Sequence, residues 1–166
     1  IFRILFSLIS KYVDGFVFAS ERSRQYYGSY IKQKTTQYVI PAPVDTKVFD
    51  QPQKYTGDEV LIESWQGKIV IGVVANINPV KGLETLIRVA AILNQQFDNL
   101  VFAVVGPVFK SQKIYYAQLK DLCHKQLVNN IYFVGGRSVI CPLLKRFNIY
   151  VCCSRAESSP IAVWEA

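Results

Sequence analysis

The stretch Ile69-Val70-Ile71-Gly72-Val73-Val74 decides the fold class of this chain. It is apolar throughout over the length of one strand, which is typical of a parallel β-strand covered on both faces. After a turn at 75–82, apolar residues recur at helical spacing over 83–93 and predict one buried helical stripe. A buried strand followed at once by an amphipathic helix is the repeating unit of an α/β domain.

The same unit recurs toward the end of the sequence. Apolar runs predict strands at 100–105, 131–134 and 149–153, and helical spacing predicts helices at 113–125 and from Pro142 onward. Short connections between alternating strands and helices favour a doubly wound parallel sheet.

The first third of the chain carries a similar but shorter pattern. Apolar spacing predicts a helix over 1–11, a strand at 16–19, a helix from Ser20 and a strand at 38–40. No apolar period is sustained over 45–67, so this stretch is the best candidate for an interdomain linker.

Composition limits the function classes. The 166 residues are 51% hydrophobic and carry a net charge of +7. This balance fits a protein that handles phosphate-bearing ligands or touches an anionic membrane surface, and a solvated basic surface is the plainer alternative. The sequence shows no recognisable nucleic-acid-binding motif. Residues 1–20 contain Arg3, Lys11 and Asp14, which argues against a membrane-spanning helix.

The cysteines and the histidine do not indicate a metal site. Cys123, Cys141, Cys152 and Cys153 form no C-x-x-C pair, and His124 is the only histidine. We expect four reduced thiols that pack as small apolar groups, as in a cytosolic protein. We expect His124 at the surface or half-buried.

The stretch Ser154–Glu165 combines features of an anion site with two carboxylates. It follows a predicted strand and holds Glu157 in a polar turn, after which Ser159 is expected to cap a helix with Pro160 at its first position. Glu165 then lies roughly 7–8 Å along the helix, at ~1.5 Å per residue. That separation suits a phosphate at the helix tip and a hydroxylated sugar beside it. The alternative is a surface turn with two solvated glutamates.

The turn at 76–82 stands at an equivalent position after the strand 69–74. Lys81 there can neutralise phosphate oxygens, and Gly82 relaxes the backbone at the junction. The turn lacks the glycine spacing of dinucleotide-binding and P-loop motifs, which speaks against a nicotinamide dehydrogenase or a P-loop NTPase. The alternative is a plain strand-to-helix turn with a surface lysine.

Several of these features stand in one order along the chain. They are Val-Ile-Pro-Ala-Pro-Val-Asp at 39–45, Pro-Val-Lys-Gly at 79–82, Val-Val-Gly-Pro at 104–107, Ile-Tyr-Phe-Val-Gly at 131–135, and Glu157-x7-Glu165. In this order they resemble the retaining glycosyltransferases of GT-B fold that are called family 4, or glycosyl transferases group 1. The resemblance covers nearly the whole chain from about residue 12.

The resemblance implies a domain organisation. Residues 1–40 would be the end of an N-terminal, acceptor-side Rossmann-like domain, and residues 41–66 would be the interdomain linker. Residues 67–166 would be a truncated C-terminal domain that binds the nucleotide sugar. The lack of any methionine and the stop at Ala166, just inside a predicted helix, likewise indicate a fragment of a longer polypeptide.

The resemblance also assigns roles to residues. Lys81 would contact the donor diphosphate, Glu157 would be the catalytic carboxylate near the donor sugar, Glu165 would hold the ribose, and Arg137 would lie in the loop beside the base. Backbone amides of the intervening turn would lie against sugar and phosphate, namely those around Ser158, Ser159 and Ile161.

Two departures from the family pattern concern the donor site. Asn76 stands where the family often has arginine, so one positive charge of the phosphate clamp is absent. The common Glu-Gly-Phe-Gly turn is Glu-Ser-Ser-Pro at 157–160, which leaves the sugar preference open.

The resulting hypothesis is a retaining hexosyltransferase of polysaccharide or glycolipid biosynthesis. It would move a hexose from a nucleotide diphosphate sugar, a UDP- or GDP-sugar first, to a hydroxyl of a glycan or lipid-linked acceptor. No metal is expected because no Asp-x-Asp motif occurs. We expect a cytoplasmic protein, with peripheral membrane contact left open, and no activity from the fragment alone. The alternatives are a non-catalytic nucleotide-binding module of the same fold and a nucleotide-sugar epimerase.

Overall fold

The computed structural model describes residues 2–31, 34–47 and 57–166. The chain divides into two compact units. The first comprises Ile1–Val44 together with Glu157–Ile161, and the second comprises Asp45–Ala156 together with Ala162–Ala166.

Within its described residues, the first unit contains two helices and two strands. They are α1 (Phe2–Ile9), β1 (Gly15–Phe18), α2 (Glu21–Gly28) and β2 (Thr36–Val39). The strands β1 and β2 pair in parallel, with Phe16 opposite Gln37. The helix α2 begins after Ser20, whose side chain accepts a hydrogen bond from the Ser23 amide and so satisfies one free donor of the first turn.

The second unit alternates strands and helices as the sequence predicts. The elements are α3 (Glu59–Ser64), β3 (Ile69–Val74), α4 (Leu83–Leu93), β4 (Leu100–Val105), α5 (Lys113–Lys125), β5 (Ile131–Gly135), α6 (Cys141–Arg146) and β6 (Ile149–Tyr150). Short 3₁₀ turns lie at Pro79–Lys81 and Lys110–Gln112, and a last helix, α7, spans Ile161–Glu165.

The four strands between residues 57 and 166 form one parallel sheet with the order β5-β4-β3-β6. The chain adds β4 and then β5 on one side of β3 and returns to add β6 on the other side, so the strand order reverses at β3. In open α/β sheets, ligands bind outside the carboxyl ends of the strands near such a reversal. The predicted α/β class with a parallel sheet is confirmed.

Helices cover both faces of this sheet. On one face, Ile71, Val73, Phe102 and Val104 pack against α4 and α5, whose buried residues include Leu86, Ile87 and Leu119. On the other face, Val70, Val101, Ala103 and Val105 pack with Trp65 and Leu143. The alternation follows from the period of two along a strand. A side chain at Gly72 would overlap the ring of Phe147, which explains a glycine inside a buried strand.

The predicted linker contains structure that the sequence did not indicate. The helix α3 lies within it, and Trp65 directly after α3 has no exposed surface. A helix of six residues is too short to show a helical period in the sequence, and burial of the indole depends on the sheet above it. The predicted domain limits stay a prediction, and residues 48–56 of the linker lie outside the described residues.

Three smaller predictions are wrong. The strand predicted at 149–153 is assigned only at Ile149–Tyr150, where β3 is its one strand partner among the described residues. The helix α7 starts at Ile161, so Pro160 precedes its first helical residue. Cys152 is exposed, because it lies beyond the end of β6, whereas Cys123 and Cys141 are buried as expected. His124 is exposed, within the expected range.

Candidate functional site

A cleft of about 500 Å³ opens at the carboxyl ends of three strands of the second unit. Its walls are the last residues of β3 and β4 and the loops that follow β3, β4 and β5. The lining residues are Val74, Ala75, Asn76, Lys81, Val105, Gly106, Pro107, Gly136, Arg137, Ser138 and Ile140. Backbone pairing continues past the strands, since the Ala75 amide donates to the Val105 carbonyl at 2.8 Å and the Gly106 amide donates to the Gly135 carbonyl at 2.9 Å. Backbone hydrogen bonds therefore join the starts of the loops after β3, β4 and β5, and these loops form one continuous wall of the cleft.

The charge of the cleft favours an anion. Among the described residues, its lining contains two basic side chains, Lys81 and Arg137, and no carboxylate; Arg137 pairs with Asp58 outside the lining, so the net positive charge comes from Lys81. Several of the other lining residues are glycine, alanine, valine or proline, so the polar groups are few and localised. A largely apolar recess with a small number of placed polar groups is the usual form of a small-molecule site.

A network of asparagines orders the turn that carries Lys81. The Asn78 side-chain oxygen accepts from the Val80 amide at 2.8 Å, and its nitrogen donates to the Asn76 oxygen at 3.2 Å. Because a backbone N–H can only donate, it fixes the orientation of the Asn78 amide, and Asn78 in turn fixes that of Asn76. The Asn76 amide nitrogen is thereby left to donate elsewhere, and Asn76 lines the cleft.

The Lys81 turn is packed against the segment that follows β6. Gly82 has φ 61°, a left-handed conformation that favours glycine, and a side chain there would overlap the carbonyl oxygen of Cys153. The Cys153 thiol donates to the Lys81 carbonyl at 3.3 Å, and the Arg155 amide donates to the Val80 carbonyl at 2.8 Å. Burial raises the pKa of the Cys153 thiol, so it stays protonated and able to donate. The backbone around Lys81 is therefore held from two sides.

Arg137 is held by a carboxylate from a distant part of the sequence. Its Nε donates to the two oxygens of Asp58 at 2.9 and 2.7 Å, and its Nη2 donates to one of them at 2.7 Å. The side chain of Asp58 is 3% exposed and that of Arg137 is 30% exposed. The hydrogen bonds to Asp58 raise the pKa of Arg137 above its ordinary value, so the guanidinium is charged at any pH of interest.

A second group of polar side chains lies close to the Lys81 turn. Arg155 contacts Glu84 at 3.6 Å, and Tyr115 is buried nearby. Burial and then the neighbouring Glu84 carboxylate raise the pKa of Tyr115. Within the described residues the Tyr115 hydroxyl and one Glu84 oxygen lie without a hydrogen bond of normal geometry. The residues of this group are not among those that line the cleft.

The structure brings together three of the predicted site residues, namely Asn76, Lys81 and Arg137. The turn residues Glu157, Ser158, Ser159 and Ile161 group with the first unit, where the Ser158 and Ser23 hydroxyls lie 2.6 Å apart. Glu165 groups with the second unit and is half-buried. These five residues are not among those that line the cleft, and their roles remain predictions.

Sequence reasoning missed Asp58 and Ser138. Asp58 precedes a short helix, so its position in the sequence signals only a helix cap, and nothing local connects it with Arg137. Ser138 follows Arg137 directly and lines the cleft. The only signal for Ser138 was its place in a loop after a predicted strand.

Two general properties concern metals and membranes. Within residues 2–31, 34–47 and 57–166, no three His, Cys, Asp or Glu side chains converge as metal ligands would. In the same part of the chain, none of the helices has the length and apolar character needed to span a bilayer.

The family described as glycosyl transferases group 1 matches residues 62–166. The match covers more than half of the sequence, so the chain belongs to this family. None of the curated proteins compared with the chain matches it.

Solved structures show the same fold at low sequence identity. HepE from Anabaena, in complex with UDP and glucose, is 20% identical with a TM-score of 0.85, over 99% of this chain and 45% of its own. The C-terminal domain of LpcC, a glycosyl transferase group 1 family protein from Francisella tularensis, is 23% identical with a TM-score of 0.62, over 75% of this chain and 65% of its own.

A trehalose-6-phosphate synthase, studied for glycosyl transfer with retention, is 12% identical with a TM-score of 0.73, over 98% of this chain and 44% of its own. The predicted GT-B fold class is thus confirmed. The chain spans less than half the length of HepE and of this synthase.

Proposed function

We propose that this group 1 glycosyltransferase chain forms the nucleotide-sugar site of a retaining hexosyltransferase of family 4. The observation that carries the proposal is the cleft at the carboxyl ends of β3, β4 and β5, whose lining among the described residues holds Lys81 and Arg137 and no acidic side chain. A nucleoside diphosphate needs cationic and N–H donors for its phosphates and a drier surface for its base, and this cleft offers both. HepE, of the same fold, was solved with UDP and glucose, which supports the choice of donor class.

The proposed reaction transfers a hexose to a hydroxyl of a glycan or a lipid-linked acceptor. The bond between the anomeric carbon and the diphosphate oxygen breaks, and the nucleoside diphosphate leaves with the bonding electron pair. The acceptor oxygen bonds to the anomeric carbon on the same face, and its proton passes to the phosphate oxygen that has left. The protein must stabilise the charge that develops on the leaving group, which positive side chains and oriented N–H donors do best. Retention is the stereochemistry for which the trehalose-6-phosphate synthase of the same fold was studied, and that is the reason for proposing it here.

Within this proposal, Lys81 contacts the diphosphate and Arg137 lies beside the base. The Asn76 oxygen is used by its bond from Asn78, so the Asn76 amide nitrogen can donate to a phosphate oxygen. The amide donor carries no charge, so it stabilises phosphate less than the arginine that often stands there in the family. Glu157 faces the donor sugar, Glu165 holds the ribose, and three turn residues supply backbone contacts, namely Ser158, Ser159 and Ile161.

The experiment is a calorimetric titration of the complete protein with UDP-, GDP- and ADP-glucose. We expect one donor to bind and Lys81→Ala to weaken its binding by about ten- to a hundredfold, since a hydrogen bond to a charged group contributes roughly 1.5–3 kcal/mol. Glu165→Ala should weaken the same donor by losing the ribose contact. Lys125→Ala is the matched control, because Lys125 is 67% exposed and pairs with Asp121 on its own helix.

The outcomes separate the alternatives. Binding of a donor without transfer to any hydroxyl would favour a non-catalytic module, and conversion of the sugar without an acceptor would favour an epimerase. An equal loss of donor affinity in Lys81→Ala and Lys125→Ala would show that Lys81 does not contact the donor.

A further inference from the structure

The ion pair between Asp58 and Arg137 is not explained by the local role of either partner. Asp58 stands at the N-cap position of α3, where a carboxylate usually accepts hydrogen bonds from the first amides of the helix. Here its side chain makes no capping bond, and both oxygens instead accept from Arg137, 79 residues away. The Asp58 carboxylate thus accepts hydrogen bonds from Arg137 and not from the first amides of α3.

The pair is buried on one side and open to the cleft on the other. Asp58 is 3% exposed, whereas Arg137 keeps 30% exposure and lines the cleft. A buried carboxylate is stable only with a partner, and three hydrogen bonds in a fork-like arrangement provide it. The plane and the direction of the guanidinium are therefore set by Asp58.

The bonds of Arg137 leave a defined set of donors. The Nε–H and one Nη2–H go to Asp58, and one Nη1–H goes to the Gly136 carbonyl at 3.0 Å. Among the described residues, one N–H on each terminal nitrogen is left without a protein partner. These two donors belong to a side chain that lines the cleft.

The Asp58–Arg137 pair has no net charge, and this decides which part of a nucleotide it can bind. Asp58 cancels the charge of Arg137 at contact distance, so Arg137 offers directed N–H groups rather than a long-range positive field. Directed donors match the carbonyl oxygens and ring nitrogens of a neutral base edge. A diphosphate requires net positive charge and is served better by Lys81.

We propose that Asp58 is a positioning residue for donor binding, which holds Arg137 so that its two remaining N–H groups meet the base edge of the nucleotide. The inference rests on the proposed function and deepens it. It assigns part of the nucleotide affinity to a residue that precedes α3 and does not line the cleft.

The test compares Asp58→Asn and Asp58→Glu in the complete protein, with UDP-, GDP- and ADP-glucose as donors. Asp58→Asn keeps the shape but removes the acceptor charge, so we expect the donor KM and Kd to rise about tenfold while kcat at saturating donor stays within about twofold. Asp58→Glu retains the carboxylate and should recover part of the affinity. Asp121→Asn is the matched control, because Asp121 is 58% exposed and pairs with Lys125; it should leave KM unchanged.

A purely structural role of Asp58 predicts a different result. Loss of folded protein would lower kcat per milligram and leave KM unchanged, which would overturn the inference. The double variant Asp58→Asn/Arg137→Gln addresses folding directly, since it removes both charges and leaves no buried ion without a partner. We expect its thermal stability to exceed that of Arg137→Gln alone while its donor affinity stays as low as that of Asp58→Asn.

A readout without ligand tests the geometry itself. In protein labelled with ¹⁵N-arginine, the Arg137 Nε–H should exchange slowly with solvent, and Asp58→Asn should accelerate that exchange whereas Asp121→Asn should not. Fast exchange in the unsubstituted protein would overturn the inference. Failure of all three donors to bind the unsubstituted protein would overturn the proposed function and this inference together. Donor binding that Asp58→Asn leaves unchanged would overturn the inference alone.

Discussion

The two parallel sheets of this chain differ in how deeply they are buried. The strand β4 in the second unit is buried at all of its 6 residues, whereas β1 in the first unit buries only Phe18 of its 4. Both strands have apolar sequences of similar character. β4 is deep because strands flank it on both sides and helices cover both faces, while β1 has one strand partner among the described residues. Burial is thus decided by the layers around a strand rather than by its own sequence.

The difference bears on the candidate site. The cleft is built from loops that continue the buried strands β3 and β4 and the half-buried strand β5, so most of its wall rests on the core of the second unit. Sites whose supporting residues are locked by packing hold their geometry better than sites on loosely packed elements. The turn Glu157–Ile161 groups with the shallower first unit. Substitutions that compare the two units test this contrast.

The largest effect should come from Trp65→Ala. Trp65 has no exposed surface and anchors one face of the sheet, so its removal should cost about 3–5 kcal/mol of unfolding free energy. Trp164→Ala is the matched control, because Trp164 is 64% exposed and its loss should change stability by less than about 0.5 kcal/mol. Urea unfolding of the complete protein measures both. Similar shifts for the two variants would contradict the buried position of Trp65.

A direct comparison of the two sheets uses the same substitution in each. Val104→Ala in β4 removes a side chain that is 1% exposed and should cost about 2 kcal/mol through lost burial and a cavity. Val17→Ala in β1 removes one that is 63% exposed and should cost under about 0.5 kcal/mol. Amide hydrogen exchange on the same variants gives the local view, with strong protection expected in β4 and weak protection in β1. Equal losses of unfolding free energy in Val104→Ala and Val17→Ala would contradict the difference in burial between the two sheets.

The smallest effect concerns the exposed ion pair of the first unit. Hydrogen bonds from Arg24 lower the pKa of Glu21 below its ordinary value, although both side chains are solvated. A lowered folded pKa contributes stability that is present above the unfolded value of about 4.3 and is lost as the pH falls through the folded pKa. Glu21→Gln should therefore lose slightly less helix than the unsubstituted protein when the pH is lowered. Circular dichroism between about pH 5 and pH 3 measures this loss.

High salt provides the control for this pair. Exposed pairs are screened, so the difference between Glu21→Gln and the unsubstituted protein should disappear at about 1 M salt. A difference that persists in salt would mean that the pair is more buried than the structure shows. The Asp58–Arg137 pair should resist the same salt, because solvent reaches only one side of it.

The sequence predicted the part of the fold that depends on local pattern. The runs at Ile69–Val74 and Leu100–Val105 became β3 and β4 with the expected limits, and helical spacing gave the limits of α4 and α5. These elements are long enough for their apolar period to exceed chance. The ordered motifs also led to the glycosyltransferase family, because turn residues such as Lys81 and Gly82 must follow the strands in a fixed order.

Other features were decided only by the tertiary structure. Asp58 and Arg137 are far apart in the sequence, and only packing of α3 beneath the sheet makes them partners. The same packing buries Trp65, whose neighbours in the sequence are polar, while Cys152 is exposed despite an apolar neighbourhood. Local pattern determines whether a segment becomes a strand or a helix, because that choice depends on neighbours one to four residues away. The strand order decides which side chains meet in the core or the cleft. That order cannot be inferred from any short stretch of the sequence.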